Sequence, residues 1–237
     1  MIGYEDQETL FFVGLPTIAG PMIDKYIATA KMFHMDVPES VWLAKKQFDA
    51  NNMTYFLDPH NKELFKFINE TSAFLFMGGI DQTQRFLAGY GRVYYYRNSF
   101  YSGAPHAPAW NNSLAGAAHS DDLSFLFYNP LMNYNTSLET AVGRTIKRIV
   151  EMWTNLAKYG HPTPNWVHDG YPLGITWPDS GSSGITLDIG NELTITPRLM
   201  TDAMQRYENS SRKYLSEATG CDSSSNITST VPLDCTP

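Results

Sequence analysis

Residues 116–127 read Gly116-Ala-Ala-His119-Ser-Asp-Asp-Leu-Ser-Phe-Leu-Phe127, and the architecture follows from them. A histidine sits directly after small residues and directly before two aspartates. The mostly apolar run Leu123 to Tyr128 follows and anchors the segment in a core. Upstream, Val93-Tyr-Tyr-Tyr-Arg97 is short, aromatic and bounded by polar residues and glycine, which predicts a buried strand. In α/β enzymes ligands bind beyond the carboxyl ends of the strands, so a histidine on a loop past such a strand stands where a catalytic base is kept. Taken alone, the pattern also describes a surface histidine beside two solvated aspartates. The rest of the chain separates the two.

The chain has 237 residues, enough for one large domain or two small ones. With 43% hydrophobic and 17% charged residues its balance is globular rather than disordered. The net charge of −7, without a basic stripe to neutralise phosphates, argues against a nucleic-acid partner. No apolar run reaches the roughly 18 residues of a membrane span. Met1-Ile-Gly-Tyr-Glu-Asp has neither the basic start nor the cleavable apolar stretch of a signal peptide. Asn-x-Ser/Thr nevertheless occurs at Asn52, Asn69, Asn111, Asn135, Asn209 and Asn226, more often than the Ser and Thr content leads one to expect. A disulfide between Cys221 and Cys235 would suit the same oxidising compartment. A secreted or secretory-lumen glycoprotein is expected, with an N-terminal part that precedes Met1.

Met1-Ile-Gly3 reads as the end of a buried strand. The chain turns acidic at Glu5-Asp-Gln-Glu8 and returns to the core at Leu10-Phe-Phe-Val13, which leaves Glu8 on a short loop between apolar anchors. Pro38-Glu39-Ser40 opens a helix through Trp42, Leu43 and Phe48, proline being tolerated in a first turn. Pro59-His60-Asn61-Lys62 opens another, with Leu64, Phe65, Phe67 and Ile68 on its apolar face. Thr71 to Tyr90 reads as a core helix interrupted at Gly78-Gly79. Thr136-Ser-Leu-Glu139 has the form of a capping box. It precedes a helix whose Val142, Ile146, Ile149, Val150, Trp153, Leu156 and Ala157 share one face, ended by Gly160 and Pro162. Ile185–Ile189 and Asn191–Ile195 are expected to pair across Gly190. Leu199 to Leu215 is a final helix, and the Ser/Thr-rich tail from Ser216 is expected to be disordered except near its cysteines.

No metal site is supported: His-Glu-x-x-His is absent, and the two cysteines lack zinc spacing. His34, His60, His106, His161 and His168 are scattered, and no cofactor motif appears; Gly181-Ser-Ser-Gly184 lacks the lysine and following helix of a phosphate cradle. What remains is an acid, Glu8, and a base, His119, on separate loops after separate strands. A hydrolase triad needs an acid to hold the imidazole tautomer, a base and a nucleophile. In α/β-hydrolases the order is Ser, then Asp/Glu, then His, which Glu8 before His119 obeys. No Gly-x-Ser-x-Gly elbow occurs in the 237 residues.

These segments resemble the C-terminal part of a type-B carboxylesterase, of the kind that includes insect carboxylesterases and cholinesterases. Gly3-Tyr-Glu-Asp-Gln-Glu8 resembles the family's Gly-x-Asn-x-x-Glu-Gly segment, with Glu5 in place of the asparagine and Thr9 in place of the final glycine. Gly116-x-x-His119-x-Asp-Asp-Leu is similar to its histidine segment. Met152-Trp-Thr-Asn-Leu-Ala-Lys-Tyr-Gly-His-Pro-Thr-Pro164 resembles its Trp-Thr-Asn-Phe-Ala-x-x-Gly-x-Pro-x-Pro signature, and Leu187-Asp-Ile-Gly-Asn-Glu-Leu193 its late Leu-x-Ile segment.

The resemblance covers residues 1 to about 215, leaving 216–237 as a tail with two cysteines. It implies an α/β fold: the C-terminal part of an α/β-hydrolase sheet with helices around it. It implies Glu8 as the triad acid, His119 as the base, a carboxylic ester as the small-molecule substrate, and a serine on the missing N-terminal part of the same domain. Other expectations stay open: a catalytically silent, adhesion-type binding relative, a genuine short binding protein, or a truncated fragment without independent function.

Overall fold

A computed structural model describes residues 1–10, 16–58, 60–102, 115–130, 134–166, 170 and 172–219. Among the described residues four short strands form one sheet in the order β1 (Ile2–Glu5), β2 (Tyr95–Asn98), β3 (Thr186–Ile189), β4 (Leu193–Thr196). The first three are parallel, in register Gly3 to Tyr96 and Tyr96 to Leu187. β4 folds back antiparallel on β3 through the turn at Gly190, as expected, with Ile189 opposite Leu193. Parallel neighbours need long crossovers. The crossovers are helical: α1 (Pro16–Met32), α2 (Glu39–Asp49), α3 (Met53–Leu57), α4 (Lys62–Ser72) and α5 (Gly78–Ala88) lie between β1 and β2. Between β2 and β3 come α6 (Asp121–Leu126) and α7 (Ala141–Tyr159); α8 (Asp202–Thr219) follows β4.

The tyrosine run shows how the sheet sorts its faces. Side chains alternate along a strand. Tyr94 and Tyr96 point to the side of α7, where they pack with Trp177, Ile149, Met152, Leu187 and Ile189. Tyr95 points to the other side, against Tyr4, Ala73, Met77 and Met204. Trp177 is fully buried and meets Tyr94, Tyr96 and Trp153 edge-on or tilted at 5.9–6.3 Å; each such aromatic pair adds about 0.5–1.5 kcal/mol beyond its buried area. A third core holds α1 to α4 together through Ile23, Tyr26, Val41, Phe56, Leu64 and Phe67.

Several helix ends differ from expectation. α4 is capped by Asn61, whose side chain accepts from the amides of Glu63 and Leu64 at 3.1 and 3.2 Å; Pro59 lies outside the described residues. Gly78-Gly79 does not interrupt the helix. The chain stays helical from Lys62 to Ala88, with a π-helical turn at Ala73–Met77 just before Gly78. Gly78 is instead a contact point: a Cβ there would stand 2.2 Å from the Tyr207 ring of α8. α7 is not opened by a Thr136–Glu139 box. Its cap is Thr140, whose Oγ1 accepts from Gly143 N at 2.9 Å. On its apolar face Ile149 is buried, but Val150 and Ala157 are exposed. α8 begins only after Thr201, whose hydroxyl accepts from Met204 N at 3.1 Å, and it continues past Ser216 to Thr219. The Cys221–Cys235 pair and residues 11–13 lie outside the described residues.

Candidate active site

The acidic loop follows β1 and the histidine segment follows the chain beyond β2, so both emerge at the carboxyl ends of adjacent parallel strands. Backbone hydrogen bonds zip the two together. Gln7 N donates to Ala117 O at 3.0 Å and His119 N to Glu8 O at 3.1 Å. Asp6 Oδ1 accepts from Ala117 N at 2.9 Å. The approach is close enough that Gly116, at φ 145°, has no room for a side chain: a Cβ would stand 2.6 Å from Gln7 Cγ. Ser120 takes a left-handed conformation, φ 70° and ψ 13°, and turns the chain from His119 into α6. A non-glycine residue held there is a strained point of the kind that gathers at functional sites.

Within this frame Glu8 Oε2 and His119 Nδ1 are 2.7 Å apart. Glu8 is 3% exposed, and its other oxygen accepts from Glu5 N at 2.9 Å. The His119 side chain retains 41% exposure. The hydrogen bond to Glu8 holds the imidazole above the ordinary histidine range, with partial burial acting against it. Phe76, from the π-helical turn, lies on the imidazole with ring centroids 4.6 Å apart. π-helical turns recur at functional sites, and this one sets an aromatic wall for the base.

Thr9 gives the acidic loop its other anchor. Fully buried, its amide donates to Ser72 Oγ at 3.1 Å and its hydroxyl meets Thr71 Oγ1 at 2.7 Å and Ile68 O at 3.1 Å. A glycine could make only the first of these, so the threonine adds a side-chain tie to α4.

Glu5 does not face the imidazole; Glu8 does. Glu5 is buried behind it, and Asp121 and Asp122 turn inward: Asp121 Oδ2 accepts from Ala118 N at 2.9 Å and Asp122 Oδ2 from Tyr96 OH at 3.0 Å. Tyr96, Asn98, Thr71, Ser72 and Phe76 are contributors that the sequence did not single out. Only the strand assignment for the tyrosines could have pointed to one of them. His161 sits apart, with its Nδ1 accepting from Thr163 N at 3.0 Å and burial lowering its pKa. His106 and His168 lie outside the described residues. Among the described residues no group of His, Cys, Asp and Glu is placed to hold a metal ion, and no helix is long and apolar enough to cross a membrane. Of the sequon asparagines, Asn52, Asn69, Asn135 and Asn209 are exposed, Asn69 and Asn209 within helices; Asn111 and Asn226 lie outside the described residues.

Parallel strands joined by helical crossovers, with loops gathered at their carboxyl ends, define the C-terminal part of an α/β-hydrolase fold. The chain belongs to the carboxylesterase family, whose description matches residues 1–210. Among solved structures it is similar to juvenile hormone esterase from Manduca sexta, with OTFP covalently attached, at 15% identity and a TM-score of 0.56 over 90% of this chain and 40% of that one. It is also similar to a PNB esterase at 18% identity and a TM-score of 0.50, over 86% of this chain and 37% of that one. The chain therefore spans about two fifths of the length of these structures. No curated protein matches it in sequence.

Proposed function

We propose that this chain supplies the acid and the base of a serine carboxylic-ester hydrolase. In this mechanism His119 Nε2 takes the proton of a serine as it attacks the ester carbonyl, and returns a proton to the leaving alcohol. Glu8 keeps the proton of the neutral imidazole on Nδ1 and stabilises the imidazolium that forms. The observation that carries the proposal is the 2.7 Å bond from a buried carboxylate to a histidine with two fifths of its side chain exposed. One nitrogen is fixed and the imidazole remains accessible. The serine and the oxyanion-hole donors come from outside this chain, since no Gly-x-Ser-x-Gly elbow occurs in it.

Two features favour a continuation of the domain. Among the described residues β1 stands at an edge of the sheet, and a parallel sheet in an α/β protein is ordinarily buried. Leu123, Phe127 and Tyr128, just beyond His119, are 50%, 68% and 92% exposed. Apolar side chains gathered beside a site mark a surface that another segment covers. Asn52 and Asn135, on exposed non-helical chain, are the acceptors most open to glycosylation if the protein is secreted.

The test is ester hydrolysis by the purified chain. Without a serine nucleophile there is no acyl-enzyme, so no turnover above buffer is expected. Turnover that survives His119→Ala would show that the chain is no carrier of this base, and turnover that is lost with it would show that the nucleophile lies within the chain.

A further inference from the structure

One short stretch of helix touches both the acid loop and the base. Thr71 and Ser72, at the end of α4, hold Thr9, the residue after Glu8: Thr71 Oγ1 meets the Thr9 hydroxyl at 2.7 Å, and Ser72 Oγ accepts from Thr9 N at 3.1 Å. Four positions beyond Ser72, Phe76 meets His119 with ring centroids 4.6 Å apart and planes inclined by 36°. Residues four apart lie on the same side of a helix, so one helix face serves both partners.

The π-helical turn Ala73–Met77 fixes where Phe76 stands. It closes with Gly78 N bonded to Ala73 O, five residues back. Ala73 and Met77 are buried in the core with Tyr4 and Tyr95. Phe74 and Leu75 pack against the core of α1 to α4, with the Phe74 ring 4.4 Å from that of Tyr26. Phe76 is left for the imidazole, and both of its neighbours are anchored. The residue before the histidine, Ala118, is fully buried in the α1 to α4 core as well.

We propose that Phe76 is a positioning residue for His119: its ring backs the imidazole, keeps it in line with Glu8 and favours the imidazolium that forms when the base takes a proton. The inference rests on the reading of His119 as the base. The face of an aromatic ring carries partial negative charge and attracts a cation within about 6 Å of its centroid. A ring packed on the imidazole also leaves it less room to turn away from Glu8 Oε2.

The charged groups that face His119 are Glu8, from the loop after β1, and Asp122, from the first turn of α6; the π-helical turn carries no charged residue. The hydrogen bond to Glu8 favours the protonated imidazole, and partial burial opposes it. Two roles for Phe76 therefore predict opposite signs. A ring that only excluded water would hold the titration midpoint of His119 down, whereas a ring whose face attracts the imidazolium holds it up.

The experiment is an NMR titration of the purified chain labelled with 15N at histidine, with the His119 signal assigned by its loss in His119→Gln. Phe76→Leu keeps an apolar cover and removes the aromatic face. The His119 midpoint is expected to fall by roughly 0.5 unit; a midpoint that stays or rises overturns the inference. Should the leucine variant fail to fold, a ring-fluorinated phenylalanine at position 76 keeps the shape and drains the negative face. The midpoint should again fall, and an unchanged one overturns the inference. Glu8→Gln separates the two levels: if it lowers the midpoint while Phe76→Leu does not, only the role of Phe76 fails; if it does not, the acid–base pairing itself fails.

Discussion

Glu8 Oε2 and His119 Nδ1 stand 2.7 Å apart although 111 positions separate them in the chain. The pairing depends on parallel neighbours: β1 and β2 end at the same side of the sheet, so the loops leaving them meet. Glu8→Gln removes the charge and keeps the shape. His119 is held above the ordinary histidine range chiefly by its hydrogen bond to Glu8. A raised folded-state pKa contributes stability that is full below the unfolded value, about 6.5, and fades as pH rises through the folded value. The stability gap between the original chain and Glu8→Gln should therefore narrow as pH climbs through that range. Urea unfolding at a series of pH values measures it, and a gap that widens with pH would contradict the pairing.

Gly116→Ala should loosen the histidine segment. The alanine would meet Gln7 at a backbone angle that side chains rarely adopt. A loss of about 1–3 kcal/mol is expected, read by denaturant melts, together with a fall in the His119 titration midpoint as the segment shifts from Glu8.

Thr140 and Thr136 make a paired test of where α7 begins. Thr140→Ala removes the hydroxyl that caps Gly143 N and should cost about 1 kcal/mol. Thr136→Ala should stay within about 0.5 kcal/mol, as for an ordinary surface change. The reverse order would restore the capping box that the sequence suggested.

Asp81 joins α5 to β2 and to Arg198, which lies between β4 and α8. It is 2% exposed, pairs with Arg85 at 2.9 Å and with Arg198, and accepts from Tyr95 OH at 3.2 Å. Asp81→Ala leaves Arg198, mostly buried itself, without that partner. A loss of about 3–5 kcal/mol is expected, and a loss below 1 kcal/mol would show that the arginine finds water instead.

Much of this was readable beforehand, and the misses have physical causes. A short aromatic run placed the strand at Tyr95 and helical periodicity placed α7, while the family resemblance pointed to Glu8 and His119, which the fold brings together. The helix starts went astray where several Ser and Thr residues compete to cap: Thr136, Ser137 and Thr140 lie within five positions, and only the fold selects Thr140. Gly78-Gly79 looked like a break because a glycine pair weakens an isolated helix, whereas here a neighbouring tyrosine requires the missing side chain. The contact between Glu5 and the start of α6 was beyond the sequence altogether, since it joins residues 117 positions apart.

The central claim is that Glu8 and His119 serve a serine carried on a preceding part of the same domain. The most direct measurement is the sequence of the transcript upstream of the Met1 codon. The account predicts a reading frame that continues in phase through a Gly-x-Ser-x-Gly elbow. An in-frame stop just upstream, or the same fold with the serine replaced, would contradict it.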